Sequence, residues 1–134
     1  METQDKKPKT RAQMREHIIA KLYQMDIDSS YEPKNIPKGF VHDAITTIVT
    51  NFESVNDTLE THLIQWKLKR LSYVDRAILR LGVYELAHTS TPTEVIIDEL
   101  LNLTHKFSDE GDKKHVAFNN RVLENLAKSL REMT

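Results

Sequence analysis

The sequence contains no cysteine, which excludes disulfides, thiolate metal sites and a cysteine nucleophile, and suits a reducing compartment. Only three glycines and four prolines occur in 134 residues. The prolines fall between periodic segments, the pattern of helices joined by short loops. Strand-like alternation is almost absent. No run approaches the roughly 20 apolar residues of a membrane span, and the N-terminus carries no apolar stretch of the signal-peptide kind. A cytoplasmic location without a membrane partner is therefore expected. A Gly-rich phosphate loop, a Gly-x-Ser-x-Gly elbow and a His-Glu-x-x-His motif are missing too. Net charge is also small, at -1 from 19 basic and 20 acidic residues, which argues against indiscriminate nucleic-acid binding. What is present, 39% hydrophobic and 29% charged residues, is the composition of one soluble globular domain, large enough to bury a core without a staple.

The charge is unevenly spread. Lys6, Lys7, Lys9, Arg11, Arg15 and Lys21 meet only Asp5 and Glu16 in the same stretch, whereas acids gather at Glu94, Asp98 and Glu99 and at Asp109, Glu110 and Asp112. A first helix is expected to open at Thr10-Arg-Ala-Gln13, a capping-box pattern, with Met14, Ile18, Leu22 and Met25 at helical spacing. A second, from about 37 to 51, presents Phe40, Ala44, Ile48 and Phe52 as one stripe, and Ser54-Val-Asn-Asp57 reads as the cap of a third that runs to about Trp66. Ser72-Tyr-Val-Asp75 is another capping box. Behind it Val74, Ala77, Ile78, Leu81, Val83 and Leu86 make so wide an apolar surface that this helix should be central. Thr91-Pro92-Thr93-Glu94 marks a further start, with Thr91 as cap and Pro92 in the first helical position, followed by Ile96, Leu100, Leu103 and Phe107 on one face. After a polar connector from 108 to 114, Val116, Val122, Leu123, Leu126 and Leu130 imply a last helix. The predicted fold is all-α: a compact bundle of six or seven helices in two subdomains parted near 67–71. Residues 1–9 are expected to form a basic, flexible arm and residues 10–134 one helical domain.

Positions 11, 15, 18 and 22 lie nearly on one line of a helix, yet the line begins as Arg11 and Arg15 and becomes Ile18 and Leu22. The first turns must overhang the core, with lysines just before them, which makes a seat for a phosphate backbone. Tyr23 lies about 80° around the helix from Arg15, within reach as a stacking platform. The residues equally admit a solvated, frayed terminus with Tyr23 in the core.

Read together with the C-terminal half, this helix resembles that of a known family. Arg15-Glu16 followed by Leu22-Tyr23 is similar to the Arg-Glu and Leu-Tyr pairs of the NusB family's first helix. Asp75-Arg-Ala-Ile-Leu-Arg-Leu-Gly-Val-Tyr-Glu-Leu86 resembles its central helix, Pro92 to Phe107 the helix that follows, and Phe118-Asn-Asn-Arg-Val-Leu123 its Phe-Val-Asn-Gly-Val-Leu stretch. The matches run in order from Arg11 to Leu126. The resemblance implies an all-α, non-enzymatic RNA-binding protein. Its ligand would be the single-stranded boxA element of nascent ribosomal transcripts, bound together with the small-subunit ribosomal protein that serves as NusE, in support of antitermination by the transcription elongation complex. Carried over by position, Lys7, Arg11 and Arg15 would contact phosphates, Tyr23 would stack on or hydrogen-bond a nucleotide, Phe118 would sit beside the RNA, and Arg80 would share that surface. The chain departs from the family pattern at Arg11-Ala-Gln13, where many relatives carry consecutive arginines. It departs also at Arg121 for a Gly, at Asp98 for an Asn, and in a longer connector whose Lys113 and Lys114 add cations to the RNA-facing set.

Two rival readings use other residues. Glu85-Leu-Ala-His88 is the Glu-x-x-His half of a di-iron bundle site, but a complete site needs a second such motif and two further inward carboxylates, and Asp112-Lys-Lys-His115 is a poor echo. No metal, cofactor or enzymatic activity is expected. The other rival is a protein adaptor of the same fold that has lost RNA binding. Self-association into a homodimer is compatible with either reading.

Overall fold

The computed structural model describes residues 8–36, 38–63, 67–108, 111 and 113–131. Six α-helices follow one another: α1 Arg11–Ile27, α2 Phe40–Thr50, α3 Phe52–His62, α4 Tyr73–His88, α5 Thr93–Phe107 and α6 Lys114–Arg131. A 3-10 turn, Leu68–Arg70, lies between α3 and α4, and no strand occurs among the described residues. The helix starts show how local chemistry sets the boundaries. The Thr10 hydroxyl accepts the Gln13 backbone N–H at 3.0 Å while Gln13 Oε1 accepts the Thr10 N–H at 3.2 Å, a complete capping box. The Ser72 Oγ accepts the Asp75 N–H at 3.1 Å in the same way.

Four expected boundaries shift. α2 begins at Phe40 behind Gly39, whose φ of 99° suits a residue without Cβ. Pro37, the expected start, lies outside the described residues. α2 and α3 are separated by Asn51 alone, so Ser54 lies inside α3 rather than capping it, and Phe52 belongs to α3 rather than to the α2 stripe. α3 stops at His62 because Leu63 is extended, at φ -91° and ψ 99°. Residues 64–66 lie outside the description. At α5 the capping position is Pro92 itself, without a side-chain cap, instead of Thr91.

α4 is the axis of the molecule and packs against all five other α-helices. Every residue from Ala77 to Leu86 is buried. Ile78, Leu79 and Leu81 meet Ile18 and Leu22 of α1, Ala44 and Ile48 of α2, Leu59 of α3, Ile96 and Leu100 of α5, and Leu123 and Leu126 of α6 in a single hydrophobic cluster. Each fully buried Leu or Ile contributes about 1.5–3 kcal/mol. Gly82 lets α6 come close: a Cβ there would lie 2.6 Å from Leu123 Cδ2. No helix among the described residues is long and apolar enough to cross a membrane.

Candidate nucleic-acid interface

Arg11 opens α1 at the bundle edge, exposed as the overhang requires. Its guanidinium sits 3.9 Å from the centroid of Phe40, whose ring tilts against Tyr84 at 6.3 Å. Tyr84 in turn stacks on His88 at 5.4 Å. The cation is thus held on an aromatic face with its charge still in water. Burial, then Asp43 and Glu85, push the Tyr84 hydroxyl above the usual tyrosine value, with Arg11 opposing, so the phenol stays neutral at neutral pH. Lys9 is exposed in the turn before α1. Lys7 lies outside the described residues.

Arg15 requires correction as a phosphate contact. Its side chain is buried, with Nε 2.8 Å from Glu85 Oε2 and Nη2 2.9 Å from Glu85 Oε1. The pair is bidentate and shut off from solvent, so a phosphate would have to displace a buried carboxylate. The same pair occupies both oxygens of Glu85, the acid of the Glu-x-x-His motif. Arg80 is corrected likewise. It is 3% exposed, its Nη1 lies 2.6 Å from Asp26 Oδ2, its Nε bonds Asn56 Oδ1 at 2.9 Å, and Phe52 covers it at 4.5 Å. Burial lowers its pKa from the ordinary arginine value, while the hydrogen bond and charge of Asp26 oppose the shift. Both arginines hold α1 to α4.

Tyr23 stands outside the core. It is 37% exposed, and its ring meets that of Tyr73 edge to face, at 6.4 Å and 86°. Phe118 and Lys114 lie on the first turns of α6, where with Arg70, Leu71, Ser72 and His115 they line an open pocket of ≈ 350 Å³ at the start of α4. Lys113, with φ 61°, is exposed just before α6. The pocket floor is a buried polar knot. Asp75 accepts from Ser108 Oγ at 2.7 Å and Asn119 Nδ2 at 3.1 Å, and its Oδ2 lies 2.6 Å from His115 Nδ1. One carboxylate therefore ties α4 to the end of α5 and the start of α6.

α1 and α4 run antiparallel, as the Arg15–Glu85 and Tyr23–Tyr73 pairs show. Arg11 and Tyr23 are consequently at opposite ends of α1, about 18 Å apart along its axis. Tyr23 shares the end of the bundle where α4 begins with Phe118 and Lys114, whereas Arg11 stands near the end of α4. Tyr73 and the cations Lys69, Arg70 and Arg76 stand at the start of α4 too, outside the residues that the sequence predicts for RNA, and for Lys69 and Arg70 the signal is the basic run Lys67-Leu-Lys-Arg70.

The family model described as "NusB family" matches residues 12–128. Among curated proteins, the transcription antitermination protein NusB of Pediococcus pentosaceus is 36% identical, over 83% of this chain and 89% of its own. That of Bacillus cereus is 34% identical, over 87% and 95%, and that of Macrococcus caseolyticus is 33% identical, over 90% and 98%. Among solved structures, T. maritima NusB superimposes with a TM-score of 0.76 at 29% identity, covering 91% of this chain and 93% of its own. A chain from the crystal structure of a plectonemic RNA supercoil superimposes with a TM-score of 0.77 at 27% identity, covering 93% of this chain and all of its own.

Proposed function

Because the chain belongs to the NusB family of non-enzymatic transcription antitermination factors, we propose that it binds boxA-like single-stranded RNA in nascent ribosomal transcripts. It does so together with a NusE-type small-subunit ribosomal protein, acting in the cytoplasm within the transcription elongation complex. The observation that carries the reading is Tyr23. Its ring projects from α1 into solvent beside a second exposed ring instead of filling the core, and an aromatic face beside cations is what a single strand uses for stacking. Arg11 and the Lys113, Lys114 and Phe118 group at the start of α6 supply further phosphate and base contacts. Lys7 would extend the set from the arm. Arg15 and Arg80 are left out, since both are buried and committed to the carboxylates of Glu85 and Asp26.

The test is a titration of a boxA-like strand against a scrambled one, at stated salt, with and without the NusE-type protein. A preference for the boxA-like strand that the partner strengthens is expected. One observation favours a second reading, an adaptor without RNA binding: the burial of Arg15 removes a phosphate contact from an arginine motif already thinned at Ala12 and Gln13. Partner binding with no RNA affinity under any condition would establish that reading instead.

A further inference from the structure

The segment from Lys67 to Arg76 carries four cations, Lys67, Lys69, Arg70 and Arg76, against one acid, Asp75. That acid is turned inward: it is 2% exposed and spent on Ser108, Asn119 and His115. Lys67, Lys69 and Arg70 are exposed. On the side toward α3 the exposed acids Asp57 and Glu60 share a groove with Lys67, Lys69 and Arg76, so the segment is positive on the side of Arg70 and Tyr73, away from α3. On the first turn of α4 the aromatic Tyr73 is 42% exposed, and the Arg76 guanidinium lies 4.6 Å from its ring centroid. Arg76 is not loose. Its Nε donates to the Leu71 carbonyl at 3.1 Å and its Nη2 to the Lys69 carbonyl at 2.7 Å, which fixes the guanidinium on the ring before any ligand arrives. Tyr23 of α1 stands against the same ring. Arg70, at the other edge, also lines the pocket that holds Lys114 and Phe118. The face is therefore continuous with one of the surfaces proposed above for RNA.

We propose that the 3-10 turn and the start of α4 form a second RNA-binding element, in which Lys69 and Arg70 hold phosphates and the Tyr73–Arg76 pair, beside Tyr23, stacks a base. Charge selects the occupant: exposed lysine and arginine interleaved with exposed rings match the polyanionic backbone and flat bases of a single strand. Through Arg70 the strand would run from Tyr23 and Tyr73 toward Phe118, which gives the two aromatic positions of the proposed function one track. The inference rests on the RNA-binding reading and adds residues that reading does not contain.

The test measures the affinity of the whole chain for a boxA-like single strand as salt is varied. Replacing Lys69 and Arg70 together by Ala removes two exposed side chains and should lower the log-log salt slope by about 1.4, at about 0.7 for each phosphate contact on a single strand. Tyr73→Leu should weaken binding about 5- to 150-fold at an unchanged slope, the range of one stacked base, and Tyr73→Phe should restore it. Melting curves are recorded for each, and the lysine and arginine pair keeps the test decisive if Tyr73→Leu perturbs the fold. Wild-type slope and affinity in these variants, while Arg11→Ala weakens binding, would overturn the second element and leave the proposed function standing. A loss seen only in binding of the NusE-type protein would mark the face as protein-binding and overturn it as well. No RNA affinity in the unaltered chain, with or without the partner, would overturn both.

Discussion

Arg11, Arg15 and Arg80 look alike in the sequence, and their fates differ because of carboxylates that lie far away along the chain. Arg15 meets Glu85 across 70 positions and Arg80 meets Asp26 across 54, whereas Arg11 lies over the face of Phe40. Removing one member of a buried pair leaves an uncompensated charge, so Glu85→Leu alone should destabilise the fold by about 3–5 kcal/mol. The double replacement Arg15→Met with Glu85→Leu should recover most of that loss in thermal melts. It should also leave the salt slope of RNA binding unchanged, and a flattened slope would return Arg15 to the phosphate contacts. His17 offers a test by pH. Its Nε2 is buried without a partner, and burial, with Lys21 second, lowers its pKa from 6.5. The fold then prefers neutral His17, so its contribution is present above about 6.5 and is lost as pH falls through the folded value. Acidification from about pH 8 to 5 should lower the melting temperature of His17→Gln less than that of the unaltered chain. Parallel curves would remove His17 from the account. Such pairings were not legible in the sequence, because helical periodicity tells which face turns inward but not which opposite charge waits there.

At the scale of elements, the strong local signals survived. The box at Thr10 forms as the spacing predicts, and at Ser72 the cap half of it does while the Asp75 carboxylate turns to Ser108 and Asn119, because a hydroxyl and the N–H three residues on are close in any chain that starts a helix there. The weaker boundaries at Ser54 and Thr91 moved, since packing and long-range bonds outweigh a cap worth about 1 kcal/mol. The end of α4 shows such a bond set. Arg131, on the last turn of α6, donates to the carbonyls of Leu86 at 2.9 Å, Thr89 at 2.7 Å and Glu85 at 3.2 Å, and reaches Thr91 in the next loop. The Leu86 carbonyl is one of those that a helix C-terminus leaves without an intrahelical partner, the Glu85 carbonyl is shared with the Thr89 N–H and hydroxyl, and a cation there also complements the negative end of the helix dipole. Arg131→Met should cost about 2–3 kcal/mol, the scale of hydrogen bonds from a charged donor. That corresponds to a drop of roughly 5–12 °C in melting temperature. Arg131→Lys should recover little, because an ammonium lacks the planar fork that spans two helices' loops. Full recovery by Lys would reduce Arg131 to a point charge.

Across the whole molecule, positive charge is clustered rather than abundant. Exposed cations gather at Lys9 and Arg11 and at Lys67, Lys69, Arg70, Lys113 and Lys114, while Lys34, Lys38, Lys106, Arg121 and Lys128 stand scattered among exposed acids such as Asp57, Glu60, Glu94 and Asp98, and the sum is -1. A surface so divided binds a polyanion on limited tracks and gains little from long-range attraction, so RNA affinity of the chain alone should be modest. α4 bears on this, because every other α-helix leans on it, and a partner that steadies the bundle lowers the ordering cost for RNA arriving at its start. A NusE-type protein is expected to raise RNA affinity by about 5- to 150-fold, the usual range of coupling between two sites. Coupling in binding is reciprocal, so saturating boxA-like RNA must raise affinity for the partner by the same factor. The check is two series of titrations, RNA at several partner concentrations and partner at several RNA concentrations. Equal factors well above one would make this bundle the shared platform of both ligands. A factor of one in both series would mean that RNA and protein occupy surfaces that do not communicate, and the cooperative part of the proposal would fall even if each ligand binds.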